Sequence, residues 1–255
     1  MSGDPVLFER SDGIARLTIN RPEARNALNQ AVRDGLFAGF REFIDDDASQ
    51  VLILTGTGDK AFSAGADLKE MADTGLKVPP TDWLPYLGRN LHTDKPIIAA
   101  VNGVAYAGGF FLAQMCDLVV AADTARFAIT EARWSRGAPW AAPLPWLIPP
   151  RVAMELLVTA DPIDAARAHQ IGLVNRVVPA GDLLAEADAM ARRITENAPL
   201  AVRAGKAMVY AAAERGWSGA LDEGYRIFEP VYLSEDAQEG PRAFKEKRPP
   251  QWKGR

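Results

Sequence analysis

Two apolar runs of strand length, VLILT at 51–55 and PIIAAVNG at 96–103, are each followed by a small-residue turn and then by a segment with helical spacing. A short apolar run bounded by turn residues reads as a buried strand. The first run leads through Gly56, Gly58, Gly65 and Ala66 into DLKEMAD, and the second through Gly108-Gly109 into GFFLAQMC. LVVAA at 118–122 and RFAI at 126–129 supply further strands before Glu131. This repetition of strand, glycine turn and helix predicts an α/β fold whose ligands sit where strands hand over to helices.

The flanking segments differ in texture. VLFER at 6–10, a break at Ser11-Asp12-Gly13 and IARLTIN at 14–20 read as an N-terminal hairpin ended by Pro22. From Asn26 to Phe43, apolar residues at Leu28, Val32, Leu36, Phe40 and Phe43 recur every three or four positions, which predicts an amphipathic helix. Beyond Pro150 the pattern predicts helices near 151–160, 164–171, 181–196, 199–215 and 218–233, with one short strand, LVNRVV, at 173–178. The closing EDAQEGPRAFKEKRPPQWKGR is charged and contains proline, and its plain reading is a solvated end.

Whole-chain properties narrow the function classes. The chain has 255 residues, 48% apolar and 24% charged, with a net charge of -4, so no generally basic nucleic-acid surface is expected. One cysteine, Cys116, excludes an internal disulfide and a cysteine metal cluster, which fits a reducing cytoplasm. No stretch resembles a signal peptide, and no apolar run approaches the ~18 residues of a membrane span. Two histidines, His92 and His169, lie in no metal-ligand spacing, so no metal or other cofactor is expected. The nucleophile elbow G-x-S-x-G, the phosphate loop G-x-x-x-x-G-K-[ST] and a dinucleotide G-x-G-x-x-G are all absent from the sequence.

What remains is the pair of glycine turns. Small residues between a strand and a helix leave backbone N–H groups unpaired and facing outward, ready for an anion. Two such turns converging would hold a developing oxyanion. Six ordered blocks, NRPEARNAL, AFSAGADLKEM, AAVNGVAYAGG, CDLVVAADTARFAITEA, GLVNRVV and EGPRAFKEKRPPQWKGR, resemble the crotonase (enoyl-CoA hydratase/isomerase) superfamily over nearly the whole chain. The last block is most similar to carnitinyl-CoA dehydratase-type members.

The resemblance implies a crotonase (ClpP-like) spiral of ββα repeats over residues 1–195, and a helical C-terminal trimerisation region over 196–255 that builds trimers or dimers of trimers. It implies an acyl-CoA thioester as substrate, with no nucleic-acid or membrane partner. The oxyanion donors fall on the N–H groups of Ala66 and Gly108. Ala24, Arg25, Ala64, Gly65, Asp67, Leu68 and Lys69 match segments that line the CoA channel. Phe228 and Lys247 match positions from which a neighbouring subunit reaches the CoA; their plain readings are a core aromatic and a solvated lysine.

The resemblance also locates two carboxylate positions, of which this chain keeps one. The second matches Glu131; the first matches Phe111, which cannot accept a proton or orient water. A positioned acid or base contributes ~10²- to 10⁴-fold, so two-glutamate hydration is disfavoured. Glu131 alone suffices to move a proton from the α to the γ carbon of an enoyl thioester. Isomerase-type transfer is therefore the expectation; the alternatives are a hydratase (lyase) working with one glutamate, or a non-catalytic acyl-CoA-binding homologue. Glu131 lies so close to an apolar strand end that its pKa is expected to rise; as a surface residue it would instead pair with a cation. Downstream, Trp134, Trp140 and Trp146 stand among prolines where relatives carry a glycine-rich loop. They either reshape the acyl pocket or pack the junction with the helical tail, and Arg136 either meets a polar acyl group or is exposed.

Overall fold

The computed structural model describes residues 3–255. Strands β1 (Val6–Ser11) and β2 (Ile14–Ile19) precede helix α1 (Gln30–Asp45), strands β3 (Val51–Gly56) and β4 (Ala61–Ser63), and helix α2 (Leu68–Thr74). β5 (Ile97–Val101), β6 (Val104–Tyr106) and α3 (Gly108–Gln114) follow. Then come β7 (Leu118–Ala122), β8 (Arg126–Ala128), a 3₁₀ turn (Glu131–Trp134), α4 (Leu144–Leu147) and α5 (Pro150–Thr159). β9 (Ile163–Asp164), α6 (Ala165–Gln170), β10 (Arg176–Val178) and α7 (Leu183–Thr195) complete the core, and α8 (Pro199–Glu214), α9 (Trp217–Tyr232) and α10 (Glu235–Glu246) form the helical end.

The strands divide between two sheets. A six-stranded sheet runs β1-β2-β3-β5-β7-β10, parallel except for the β1–β2 hairpin; a four-stranded one runs β4-β6-β8-β9, with β9 antiparallel. Each central repeat gives its first strand to the large sheet and its second to the small one. The ββα spiral is thus visible in β3-β4-α2 and β5-β6-α3. Every residue of β3 and β5 is buried, as continuous apolar runs require, while β2 alternates half-buried with buried positions. α1 packs on the hairpin side and α7 across β3, β5 and β7.

Three expectations need correction. PIIAAVNG is not one strand: Asn102 turns the chain between sheets, its amide donating to Gly58 O at 2.7 Å and Ala61 O at 3.1 Å. The first helix begins at Gln30 rather than Asn26, because Arg25 and Asn26 are left-handed (φ 52° and 55°) and Asn29 supplies the cap, accepting from Val32 N at 3.1 Å. The fully buried Asn26 has another task. Its Oδ1 accepts from Arg21 N at 2.9 Å, and its Nδ2 donates to Thr57 O at 3.1 Å and Ala61 O at 2.7 Å, joining the β2–α1 connection to the β3–β4 connection.

The closing segment is also not a solvated end. Ser234 caps α10, and the last residues fold back: Lys253 N and Gly254 N donate to the buried Asp236 at 2.7 and 2.8 Å, and Trp252 Nε1 to Glu196 O at 2.8 Å. α8 is fixed to the core by Lys206 Nζ, 2.9 Å from Asp117 Oδ2 and 2.8 Å from Lys95 O, and by Tyr210 OH donating to Asp117 Oδ1 at 2.8 Å. Replacing Asn26 with alanine strands the Thr57 carbonyl and the Arg21 amide, while Ala61 O keeps the Asn102 amide; the expected loss is ~2–3 kcal/mol, read as a lower urea midpoint at unchanged slope.

Candidate active site

β4, β6 and β8 lie side by side and parallel, with Ser63 opposite Ala105 and Tyr106 opposite Ala128. Their carboxyl ends therefore open together. The turns that leave them carry Ala64 to Asp67, Ala107-Gly108, and Ile129 to Glu131.

Main-chain contact fixes the first two turns. A Cβ on Gly109 would sit 2.1 Å from Ser63 O, so the start of α3 can lie against the end of β4 only with glycine there. Gly65 has φ +90°, and a Cβ on it would fall 2.8 Å from Tyr106 O and 3.1 Å from Gly108 N. Leu28 N donates to Gly65 O at 2.8 Å, and Ala64 N to Arg25 O at 3.0 Å, which holds the turn open on one side. Ala107 has φ 51° and ψ -119°, an uncommon conformation for a residue with a Cβ that costs ~1–3 kcal/mol. Among the described residues neither Ala66 N nor Gly108 N has a hydrogen-bond partner.

The third turn brings Glu131. Ala107 N donates to Ala128 O at 2.9 Å, so the strand end three residues before Glu131 is paired with the residue before Gly108. Glu131 Oε2 is buried without a partner. Burial pushes its pKa up to about 7, with its own amide and the Trp140 indole pulling the other way. The rise expected from the sequence is present.

Apolar side chains fill the rest. Phe111, 2% exposed, meets Tyr86 edge-on at 4.8 Å between ring centroids and Trp140 at 5.6 Å. Leu84 Cδ1 lies 3.6 Å from where a Gly108 Cβ would stand. The segment carrying Leu84 and Tyr86 is anchored at Trp83, on whose ring the Arg33 guanidinium stacks at 4.6 Å. Sequence reasoning assigned nothing to these residues, because the segment has no periodicity and no glycine turn. Arg136 is exposed and donates to Leu76 O at 2.8 Å.

The other expected residues are distributed as follows. Ala24 ends a 3₁₀ turn (Pro22–Ala24), and Arg25 beside it is exposed. Asp67 caps α2, accepting from Lys69 N at 3.1 Å, and the Arg21 guanidinium 2.6 Å away holds its carboxyl below the usual range. Leu68 and Lys69 are exposed in the first turn of α2. Trp134 is 60% and Trp146 74% exposed, whereas Trp140 packs inward on Phe110 and Phe111. Phe228 on α9 is half-buried, and Lys247 is the exposed left-handed cap of α10; these helices pack chiefly on α8 and on each other, apart from the three turns.

Residues 9–255 match the family model described as enoyl-CoA hydratase/isomerase. The chain belongs to that family. It is 41% identical, over 99% of both chains, to the Mycobacterium bovis protein named "Probable enoyl-CoA hydratase echA8". It is 40% identical, again over 99% of both, to carnitinyl-CoA dehydratase of Citrobacter koseri. The crystal structure of enoyl-CoA hydratase EchA1 from Mycobacterium marinum superimposes with a TM-score of 0.89 at 39% identity, covering 99% of this chain and all of that one.

This enoyl-CoA hydratase/isomerase family member is thus an acyl-CoA enzyme of crotonase fold. No helix of the described residues is long and apolar enough to cross a membrane. Its buried glutamate makes a thermodynamic prediction. A carboxyl whose pKa is raised on folding favours the native state while protonated, so its contribution is present below about pH 4.5 and is lost as pH rises through about 7. Glu131→Gln should therefore leave stability near pH 5 almost unchanged and raise it at pH 8 by roughly 2 kcal/mol, read from thermal melts at the two pH values.

Proposed function

We propose that the enzyme is an enoyl-CoA isomerase-type catalyst in which Glu131 is the acid and base and the N–H groups of Ala66 and Gly108 hold the thioester oxygen. The observation that carries this reading is a buried carboxyl with an unpaired oxygen and a pKa of about 7, beside two unpaired main-chain donors, with phenylalanine at the other family carboxylate position. Glu131 as carboxylate takes the α proton of a 3-enoyl thioester. The C–H electron pair becomes the enolate, whose oxygen charge the two N–H groups stabilise by ~10²- to 10³-fold each. The double bond then moves to the α,β position as the γ carbon takes the proton back from Glu131. Nothing is consumed, and the carboxylate is regenerated.

On this reading Ala24, Arg25 and Ala64 to Lys69 line the CoA channel, largely through the main chain. Phe111 and Trp134 flank the acyl end. Phe228 and Lys247 act from a neighbouring copy. α9 supports such an assembly, because it exposes an apolar stripe: Trp217 at 86%, Leu221 at 53%, Tyr225 at 77% and Tyr232 at 70%. A second reading, hydration with Glu131 alone, is favoured by the hydratase and dehydratase names of the relatives.

Mixing the protein with a 3-enoyl-CoA and, separately, a 2-enoyl-CoA distinguishes them through the conjugated thioester absorbance. The expected result is a gain of absorbance from the first and little loss from the second; rapid loss from the second establishes hydration instead. Glu131→Gln should lower the rate ~10²- to 10⁴-fold. kcat/KM should fall about tenfold per pH unit below a midpoint near 7, since protonated Glu131 cannot take the α proton. Light scattering of the intact protein should give a mass three or six times that of one chain, and Tyr225→Glu should lower it.

A further inference from the structure

Helix α1 buries one charged side chain among its apolar ones. Val32, Leu36, Phe40 and Phe43 are wholly buried, and Arg33 beside them is only 5% exposed. Taking a guanidinium out of water is costly, and a packed apolar pair usually serves stability as well as a buried ion pair does. Stability alone therefore does not account for Arg33.

Its planar group is used on its edges and on one face. Nη1 donates to Leu28 O at 2.9 Å and to Glu70 Oε2 at 2.6 Å, Nη2 donates to Gln30 Oε1 at 2.6 Å, and the Trp83 ring covers the face at 4.6 Å. Glu70 closes the network by accepting from Gln30 N at 2.7 Å through its other oxygen. A lysine has no planar fork with which to make this set of contacts.

Two of these partners flank the Ala66 turn. On one side, Leu28 N donates to Gly65 O at 2.8 Å, and Leu28 and Ala66 form a parallel bridge. In such a pairing Leu28 bonds the residues next to Ala66, so the N–H of Ala66 itself turns away from Leu28. On the other side, Asp67 caps α2 and Glu70 lies in its first turn. Arg33 thus grips the Leu28 carbonyl before the turn and α2 after it. Leu28 also reaches the second turn, since its Cδ1 lies 3.0 Å from where a Cβ on Gly108 would stand. The residue that Arg33 holds by its carbonyl is the one that touches both turns.

We infer that Arg33 is a positioning residue for the oxyanion donors: its guanidinium sets the Ala66 turn against Gly108 by holding Leu28 and Glu70 together. It acts through these groups and exchanges nothing with substrate. The inference rests on Ala66 and Gly108 being the donors of the proposed reaction. A donor contributes in full only at hydrogen-bond distance from the developing oxyanion, and a misplacement of about 1 Å costs on the order of 10²-fold in rate. A buried group that fixes the spacing of two turns therefore has catalytic weight without entering the site.

The test is the carbonyl stretch of butyryl-CoA isotope-labelled at the thioester carbonyl, a ligand with no double bond to move or hydrate, read by difference infrared spectroscopy at saturation. Two N–H donors on the oxygen should displace the band of the wild-type complex to lower frequency than in free ligand. Arg33→Met keeps the stem volume and releases Leu28 O and Glu70, so roughly half of that displacement should be lost as one donor of two drifts. Arg16→Met, which breaks the 2.7 Å ion pair of β2 with Asp188 on α7, should leave the band at its wild-type position. If Arg33→Met does not fold because Glu70 is left without its cation, Arg33→Met combined with Glu70→Gln serves in its place. An unchanged band in the Arg33 variant, or an equal loss in Arg16→Met, overturns the inference and leaves the donors standing. No displacement in the wild type removes the donors, and the inference with them. The ligand does not turn over, so these results stand apart from the Glu131→Gln rate, which tests the proposed reaction.

Discussion

The site depends on one close approach of main chain to main chain, where β4 and β6 end. The Gly109 Cα rests against Ser63 O, and Gly65 rests against Tyr106 O and Gly108 N. No side chain fits between these segments. Their approach brings into main-chain contact two strand-to-helix turns, each of which carries an unpaired N–H. It is maintained by features outside the turns. Asn26 ties the β2–α1 and β3–β4 connections together from the interior, and Leu28 N holds the Gly65 carbonyl. Ala107 keeps an unfavourable conformation because its N–H is paired with Ala128 O and α3 is wedged against β4.

A desolvated site carries a cost that the remainder of the fold has to offset. Glu131 has no compensating cation, and two amides face outward unpaired. The charged groups that do the structural work are placed away from this region. Lys95 Nζ donates to three carbonyls at the end of α1, and Asp117 collects Lys206, Tyr210 and Ile97 N at the foot of the large sheet. Both clusters sit at element ends, where they satisfy main-chain groups as well as each other. The electrostatics of the fold are in this way segregated: partnered ions hold helices, and a carboxyl with an unpaired oxygen stands apart from them.

The sequence made the large elements legible and the small ones not. Helices such as α7 and α8 repeat apolar positions over several turns, and β3 and β5 are uninterrupted apolar runs, so their periodicity survives any context. β4, β6 and β9 have two or three residues each, below the length at which alternation can be seen. They exist because neighbours pair with them. The catalytic candidates were visible as motif positions, since a glycine turn and a lone glutamate are local features. Tyr86 and Leu84 were not, because their place in the site follows from the path of a loop. The terminal segment misled for a related reason: its charges are partnered across long sequence separations, Asp236 with the amides of Lys253 and Gly254 and Glu239 with Arg248, and composition alone reads them as solvated.

Phenylalanine at position 111 alters more than the number of acids. Two carboxyls in a shared dry site titrate as a pair, and the charge on one resists ionisation of the other. With an aromatic ring in that place, no like charge contributes to the Glu131 pKa; burial raises it and the indole of Trp140 opposes the rise, leaving a value of about 7. A base with its pKa near ambient pH is present in both protonation states, which a reaction needs if one group is to remove a proton and return it elsewhere on the same substrate. Around position 111 the ring cluster of Phe111, Tyr86 and Trp140 offers an indole N–H and a phenol as its polar groups. The same residue therefore both removes a second carboxyl from the site and leaves the Glu131 titration to burial.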